Sequence, residues 1–139
     1  MAQKEQPTAN RNYKDTVFRM LFSDRKNLLS LYNAIRGAHY DNPEMLEIVT
    51  LENAIYMGMK NDVSCIIQSN MAMYEQQSTW NPNMPLRGIL YSARLFSKYI
   101  KANKLNIYSE KLIKIPTPQY YVLYNGKRKI KDKVILRLS

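Results

Sequence analysis

Residues 61–77, NDVSCIIQSNMAMYEQQ, constrain the fold of this chain most strongly, because they have the pattern of a β-hairpin. Ser69 and Asn70 are predicted to form a two-residue turn, since Asn tolerates the left-handed backbone conformation that such turns require. Gln68 then pairs with Met71 beside the turn, and this pairing sets the register of both strands. The segment therefore predicts two antiparallel strands in one sheet.

This register gathers polar side chains on one face of the hairpin. Side chains alternate between the two faces of a strand, so three facing pairs are predicted to share a face: Asp62 with Gln77, Ser64 with Glu75, and Ile66 with Met73. Asp62 and Glu75 become diagonal neighbours, with backbones about 7–8 Å apart. Their carboxylates are then within reach of one divalent cation, although the same residues would also suit an ordinary solvated sheet face.

Length and composition limit the class of protein. At 139 residues the chain is one domain, and its 45% hydrophobic content is sufficient for a core. No apolar run reaches the roughly 18 residues that cross a bilayer, and the first residues are too polar for a signal peptide. The single Cys65 is predicted to lie in the core, on the face opposite Asp62, and cytoplasmic localisation is expected. His39, the only histidine, excludes a histidine-based nuclease or a His/Cys zinc site.

Positive charge is concentrated in the last third of the chain. Residues 1–97 hold ten Lys and Arg against nine Asp and Glu, whereas residues 98–139 hold eleven against two. The net charges of these parts are therefore +1 and +9. Such an asymmetry indicates a polyanionic partner, with nucleic acid the leading candidate, or alternatively a solvated, lysine-rich surface.

Apolar periodicity predicts an α/β fold with a mixed sheet flanked by helices. The predicted order is helix, helix, strand, strand, strand, helix, strand. A first helix begins at Tyr13, and a second is capped by Ser23 or Asp24 and ends near Arg36, before Gly37. The other predicted elements are a strand at 46–53, the hairpin, a helix from Pro85 to about Asn103, and a strand at 119–126 that ends in Asn-Gly.

The helix from Pro85 is predicted to have two distinct faces. Its inner face comprises Leu86, Ile89, Leu90, Ala93, Phe96 and Ile100. The opposite polar stripe is a candidate DNA-contacting surface or, alternatively, a solvated helix face. This stripe comprises Arg87, Tyr91, Arg94 and Lys98.

Several segments together resemble the PD-(D/E)XK phosphodiesterase superfamily and, within it, the Rpn (recombination-promoting nuclease/putative transposase) family. The order and spacing of these segments make the resemblance more specific than any one of them alone. The matching segments are YKDTVFRMLFSD (13–24), VTLEN (49–53), ND (61–62), EQQSTW (75–80), PLRGILYSARLFSKYI (85–100) and YVLYNG (121–126).

The resemblance implies a restriction-endonuclease-like fold and a Mg²⁺-dependent DNA endonuclease, with Mn²⁺ as an alternative ion, associated with mobile elements or defence. It points to Asp62 and Glu75 as metal ligands, and a backbone carbonyl near Gln76 is a candidate third ligand. Gln77 stands where the superfamily usually has a lysine, a substitution common in the Rpn family. Asp15 matches an acidic position of the opening motif, although an acid near a helix start is also favoured by the helix dipole.

The resemblance also suggests how the chain is organised. Residues 1–12 are interpreted as a flexible tail and 13–126 as the nuclease-like domain. Residues 127–139 are interpreted as the basic start of a second region that longer members of the family possess. In this segment Lys127, Arg128 and Lys129 are predicted to contact DNA phosphates or, alternatively, to belong to a solvated tail. A homodimer is a further expectation.

Two alternatives to a nuclease remain open. One is an inactive DNA-binding module of the same fold, and the other is a protein-interaction remnant of a transposon-linked gene. Trp80 is interpreted as a packing residue between the hairpin and the long helix, rather than as a base-stacking platform.

Overall fold

The computed structural model describes residues 17–50 and 62–138. Residues 17–22 are helical (α1) and precede helix α2, Arg25–Arg36. The side chain of Asp24 caps α2 by accepting a hydrogen bond from the backbone N–H of Lys26 (3.0 Å). Gly37 ends the helix with a φ of 65°, a left-handed conformation in which glycine carries no Cβ penalty. Both predicted ends of α2 are confirmed.

The remaining elements form one open, mixed, four-stranded sheet with the order β1-β2-β3-β4. β1 and β2 are antiparallel, as are β2 and β3, whereas β3 and β4 are parallel and are connected through helix α3. The predicted order of elements is confirmed, with an additional 3-10 turn at Pro43–Met45. The bounds are β1 Leu46–Ile48, β2 Asp62–Ile67, β3 Asn70–Gln77, α3 Met84–Ala102 and β4 Thr117–Tyr124.

Several predicted elements fall wholly or partly beyond the described part of the chain. The predicted strand at 46–53 is shorter than expected, because residues 49 and 50 are not in a strand, and residues 51–53 lie outside the described residues. The predicted tail at 1–12 and the predicted helix start at Tyr13 lie outside them as well.

The predicted turn of the hairpin is wrong by one residue. Gln68 and Ser69 form the turn, with Gln68 at a φ of 53°, and Asn70 is already in β3. Asn70 is held there by contacts remote in sequence: its side chain donates to the Tyr32 hydroxyl (3.4 Å), and its backbone pairs in register with Thr117 of β4. These tertiary contacts override the local preference of Asn for a turn.

The corrected register shifts every pair in the hairpin by two residues. Asp62 lies opposite Glu75, Ser64 opposite Met73, and Ile66 opposite Met71, instead of the predicted partners. Because the shift is an even number, each side chain remains on its predicted face. The prediction that Asp62 and Glu75 share a face is therefore confirmed, and the two residues are direct rather than diagonal partners.

Each face of the sheet carries its own core. On one face, Leu28, Leu29 and Tyr32 of α2 pack against a buried set from β2 and β3 that includes Cys65 and Tyr74. On the other face, α3 contributes Tyr91 and Leu95, which pack against Met71 and Met73. The predicted core position of Cys65 is confirmed, and burial raises the pKa of its thiol to about 12.

The predicted inner face of α3 is wrong in the first half of the helix, whereas the predicted packing of Phe96 on the core is confirmed. The residues that face the sheet are Met84, Gly88, Tyr91 and Leu95, whereas the predicted inner residues Leu86, Ile89 and Leu90 are 50%, 48% and 54% exposed. The rotation of the helix is set at Gly88, where a Cβ would lie 2.8 Å from Cδ1 of the Tyr120 ring. The ring of Tyr120 therefore packs directly on the helix backbone.

No helix within residues 17–50 and 62–138 has both the length and the apolar character needed to cross a bilayer.

Candidate active site

Asp62 and Glu75 form the centre of a buried polar cluster beneath the N-terminal half of α3. Asp62 is the first residue of β2, and Glu75 is two residues from the end of β3. As direct cross-strand partners they have Cβ atoms about 4.5–5.5 Å apart. Their side chains are almost fully buried, at 1% and 3% exposure. Carboxylates are rarely buried without partners, so the surroundings of this pair indicate its chemistry.

Only one of the two carboxylate oxygens of Asp62 accepts a hydrogen bond from the described residues. The Tyr91 hydroxyl donates a hydrogen bond to Oδ2 of Asp62, and Ser64 Oγ is bonded to the same hydroxyl. The other carboxylate oxygen, Oδ1, is buried and has no hydrogen-bond partner among the described residues. A buried acceptor without a donor is costly, and a bound cation or an ordered water removes that cost.

Burial raises the pKa of the Asp62 carboxyl to about 6. The hydrogen bond from Tyr91 and the positive charge of Arg19 oppose this rise, and the negative charge of Glu75 adds to it. Asp62 is therefore mostly ionised at neutral pH but much easier to protonate than an exposed aspartate. Burial also raises the pKa of Tyr91, so its hydroxyl stays protonated and remains a donor.

Both carboxylate oxygens of Glu75 accept hydrogen bonds. Arg87 Nη2 forms an ion pair with Oε1, and the Gln77 amide donates to the same oxygen. The Tyr120 hydroxyl donates to Oε2. These partners come from α3, β3 and β4, so the carboxylate is held where three elements meet. A buried charge needs such compensation.

The structure brings Gln77 and Arg87 to one oxygen of Glu75. Arg87 was predicted to be part of an outer DNA-contacting stripe, but its guanidinium lies in the cluster and is only partly exposed. A permanent positive charge therefore stands beside Gln77. Arg87 was a candidate site residue in the sequence, but the predicted orientation of α3 placed its side chain on the face away from the sheet.

The predicted outer position of Tyr91 is wrong, because the side chain is buried and points to Asp62 and Ser64. The Tyr91 side chain is therefore not accessible to DNA. Arg94 and Lys98 are exposed, as predicted, and Lys98 Nζ donates to the backbone oxygen of Thr50 (3.4 Å). The predicted four-residue stripe is therefore split between a buried part and a solvent-exposed part.

The basic residues after β4 lie on the surface. Lys127, Arg128 and Lys129 are exposed, and the backbone N–H of Arg128 donates to the Tyr124 hydroxyl (3.0 Å). Their predicted contact with DNA stays a prediction. Asp15, predicted on the first helix, lies outside the described residues.

Tyr120 is a site residue that the sequence did not reveal. Alternation along β4 places Tyr120, Val122 and Tyr124 on one face, but only the pairing of β4 with β3 decides which face of the sheet that is. That pairing follows a long crossover connection, so no local pattern sets it.

The described residues contain no group of three or more His, Cys, Asp or Glu side chains arranged to hold a metal ion. Within the described part of the cluster, the candidate protein ligands are the carboxylates of Asp62 and Glu75. A backbone carbonyl or water would have to complete the coordination of an ion. Mg²⁺ commonly binds in this way, with one or two carboxylates and several waters. The roles of Asp62 and Glu75 as ligands stay a prediction.

Comparison of the chain with family models, with curated proteins and with solved structures finds no match.

Proposed function

We propose that this chain is a Mg²⁺-dependent DNA endonuclease, of the type that its resemblance to the Rpn family implies, with Mn²⁺ as an alternative ion. The observation that carries the proposal is the direct pairing of two buried carboxylates, Asp62 and Glu75, one of which retains an unsatisfied oxygen. A hard divalent cation fits this donor set, because it prefers carboxylate oxygens and completes its shell with water.

When bound, such an ion would activate water and neutralise charge on the phosphate. The protein groups around it have separate tasks. Tyr91 holds the Asp62 carboxylate by its Oδ2, which leaves Oδ1 for the ion. Tyr120 holds Glu75 from the side of β4.

Arg87 supplies the positive charge that Gln77 lacks. Its partly exposed guanidinium can leave the Glu75 oxygen for a phosphate oxygen while Gln77 keeps its hydrogen bond to the carboxylate. Arg is well suited to this task, because its charge is permanent and its donors match a phosphate. In this proposal Arg87 contacts the scissile phosphate, rather than positioning the duplex from outside.

Nicking of supercoiled plasmid in Mg²⁺, and separately in Mn²⁺, tests the proposal. Asp62→Asn and Glu75→Gln keep the shape of each side chain and are expected to abolish nicking. Asp41→Asn is the matched control, since Asp41 is an exposed carboxylate away from the cluster. Circular dichroism establishes that each variant is folded. Undiminished nicking by Asp62→Asn would contradict the proposal.

A second candidate is a DNA-binding domain without catalysis. It is favoured by the bonding of Glu75, since Arg87, Gln77 and Tyr120 occupy both of its oxygens. In that case the buried ion pair is structural. Salt-sensitive binding of DNA in EDTA, combined with no cleavage in Mg²⁺ or Mn²⁺, would support this candidate over the first.

A further inference from the structure

An aromatic and cationic cluster lies beside the candidate active site, and the site roles that the resemblance implies do not include its two aromatic residues. Trp80 and Tyr124 meet edge to face, with ring centroids 6.0 Å apart. The guanidinium carbon of Arg128 lies 5.7 Å from the centroid of the Trp80 ring. We call these three residues the Trp80 cluster. Trp80 and Tyr124 are half-buried and Arg128 is exposed, so the cluster opens to solvent.

The cluster is on the same face of the sheet as the carboxylates. Tyr120 reaches Glu75 from β4, and Tyr124 lies four residues further along the same strand, so both side chains project from one face. In register, Val122 is the partner of Glu75 and Tyr124 the partner of Gln77. Tyr124 is therefore two residues, about 7 Å, beyond the level of Glu75.

The chain after β4 is folded tightly against this cluster. A Cβ on Gly126 would collide with the backbone oxygen of Ser78 and with the Tyr124 ring. The Tyr124 hydroxyl also accepts a hydrogen bond from the backbone of Arg128 (3.0 Å). These contacts place Arg128 directly beside the aromatic rings, and its chain neighbours Lys127 and Lys129 are exposed. Aromatic side chains bordered by cations are the combination by which proteins hold single-stranded nucleic acid.

We propose that the Trp80 cluster is a base-binding subsite that stacks an unpaired nucleobase of single-stranded DNA next to the scissile phosphate at the candidate active site. This inference rests on the proposed function, and it names single-stranded or locally unpaired DNA as the preferred substrate class. A base within a duplex already stacks on its neighbours and gains little from an aromatic side chain, whereas an unpaired base gains a stacking partner. Arg128 and its neighbours hold the adjoining backbone phosphates.

The fluorescence of Trp80 tests the proposal directly, because it is the only tryptophan in the chain. The full chain is titrated in EDTA, where no cleavage occurs, with an oligothymidylate strand and with a fully abasic strand of the same length. The two strands have the same backbone charge and differ only in their bases. We expect the oligothymidylate to quench Trp80 and to bind about tenfold or more tightly than the abasic strand.

Affinity measurements on substituted chains test the same interaction independently. Trp80→Ala is expected to bring the affinity for oligothymidylate down to that for the abasic strand, measured with a fluorescent label on the DNA. Tyr108→Ala is the matched control, since Tyr108 is a fully solvated aromatic residue, and it is expected to change nothing. If Trp80→Ala does not fold, the comparison of the two strands on the unaltered chain still decides the question.

The outcomes separate this proposal from the proposed nuclease activity. Equal affinity for both strands without quenching would overturn the base-binding subsite, even if plasmid is nicked in Mg²⁺. Base-dependent quenching by a chain that never cleaves DNA would support the subsite and overturn the nuclease.

Discussion

At the scale of single residues, burial of the Asp62 and Glu75 carboxylates lowers the stability of the fold, but it leaves an oxygen that can bind a cation. Asp62 is a buried carboxylate with a raised pKa and one unsatisfied oxygen, and Glu75 is a buried carboxylate with an arginine partner. Groups whose burial costs free energy are concentrated at functional sites, because binding partners offset that cost. The two carboxylates should therefore respond differently to substitution.

Replacing Asp62 with Asn is expected to stabilise the metal-free protein at pH 7.5. The pKa of Asp62 is about 6 in the folded chain against 3.8 in the unfolded chain. Folding thus favours the protonated form, so the contribution of Asp62 is fully present below pH 3.8 and is lost as pH rises through 6. A shift of about two pKa units corresponds to roughly 2–3 kcal/mol of unfolding free energy.

Denaturant unfolding in EDTA at pH 7.5 and at pH 4 measures this effect. The gain in Asp62→Asn should be largest at pH 7.5 and shrink toward pH 4, and Asp41→Asn should show no such trend. An Asp62→Asn variant that is less stable than the unaltered chain at pH 7.5 would contradict the burial argument.

Replacing Arg87 is expected to have the opposite effect. Arg87→Met leaves the buried Glu75 charge without its ion-pair partner and should cost roughly 2–4 kcal/mol of unfolding free energy. The double variant Arg87→Met/Glu75→Gln should recover much of that loss, because it removes both charges. A double-mutant cycle from urea unfolding measures the coupling, and a coupling near zero would show that the ion pair does not support the fold.

At the scale of elements, packing between α3 and β4 determines which side chains reach the site. Tyr120 lies against the backbone at Gly88, and this contact turns Arg87 and Tyr91 toward the sheet. Gly-to-Ala substitution inside a helix ordinarily stabilises a protein by up to about 1 kcal/mol. At Gly88 the added Cβ would meet the Tyr120 ring.

Gly88→Ala is therefore expected to destabilise the fold by about 1–3 kcal/mol, contrary to helix propensity. Thermal unfolding measures the change. The double variant Gly88→Ala/Tyr120→Leu should lose less stability than the two single variants together, because the smaller side chain leaves room for the methyl group. Stabilisation by Gly88→Ala alone would indicate that α3 is rotated differently.

The turn of the hairpin offers a second test at this scale. Gln68 has a φ of 53°, which costs an ordinary residue free energy, so Gln68→Gly should be neutral or stabilise by up to about 1 kcal/mol. Asn70→Gly should destabilise by about 1 kcal/mol, since Asn70 is in a strand and bonds to Tyr32. The predicted turn at Ser69 and Asn70 would give the reverse order, and urea midpoints distinguish the two.

These elements also indicate how far the sequence can predict this structure. The cap at Asp24, the stop at Gly37 and the shared face of Asp62 and Glu75 depend on local chemistry or on strand alternation, and each was predictable. The rotation of α3 and the position of the turn depend on contacts with β4, which is distant in sequence. The positions of Arg87, Tyr91 and Tyr120 depend on the pairing of β4 with β3. Local sequence patterns do not predict this pairing.

At the scale of the whole molecule, the proposed DNA-binding face is defined by the positions of the candidate site and of the exposed basic residues. Exposed basic residues follow β4 at the end of the sheet that carries Glu75 and Gln77. Substituting Lys127, Arg128 and Lys129 together by Gln should reduce the slope of log affinity against log salt by about 2 for single-stranded DNA. Lys26→Gln, at an exposed position of α2, is the control, and an unchanged slope in the triple variant would remove residues 127–129 from the proposed interface.

The central claim is that Asp62 and Glu75 hold one divalent cation together. Isothermal titration calorimetry with Mn²⁺, repeated with Mg²⁺, measures this most directly in the unaltered chain, in Asp62→Asn, in Glu75→Gln and in Asp41→Asn. The account predicts one ion per chain, lost in each of the first two variants and retained in the third. Binding of the same strength in Asp62→Asn and Glu75→Gln, or no binding in the unaltered chain, would contradict it.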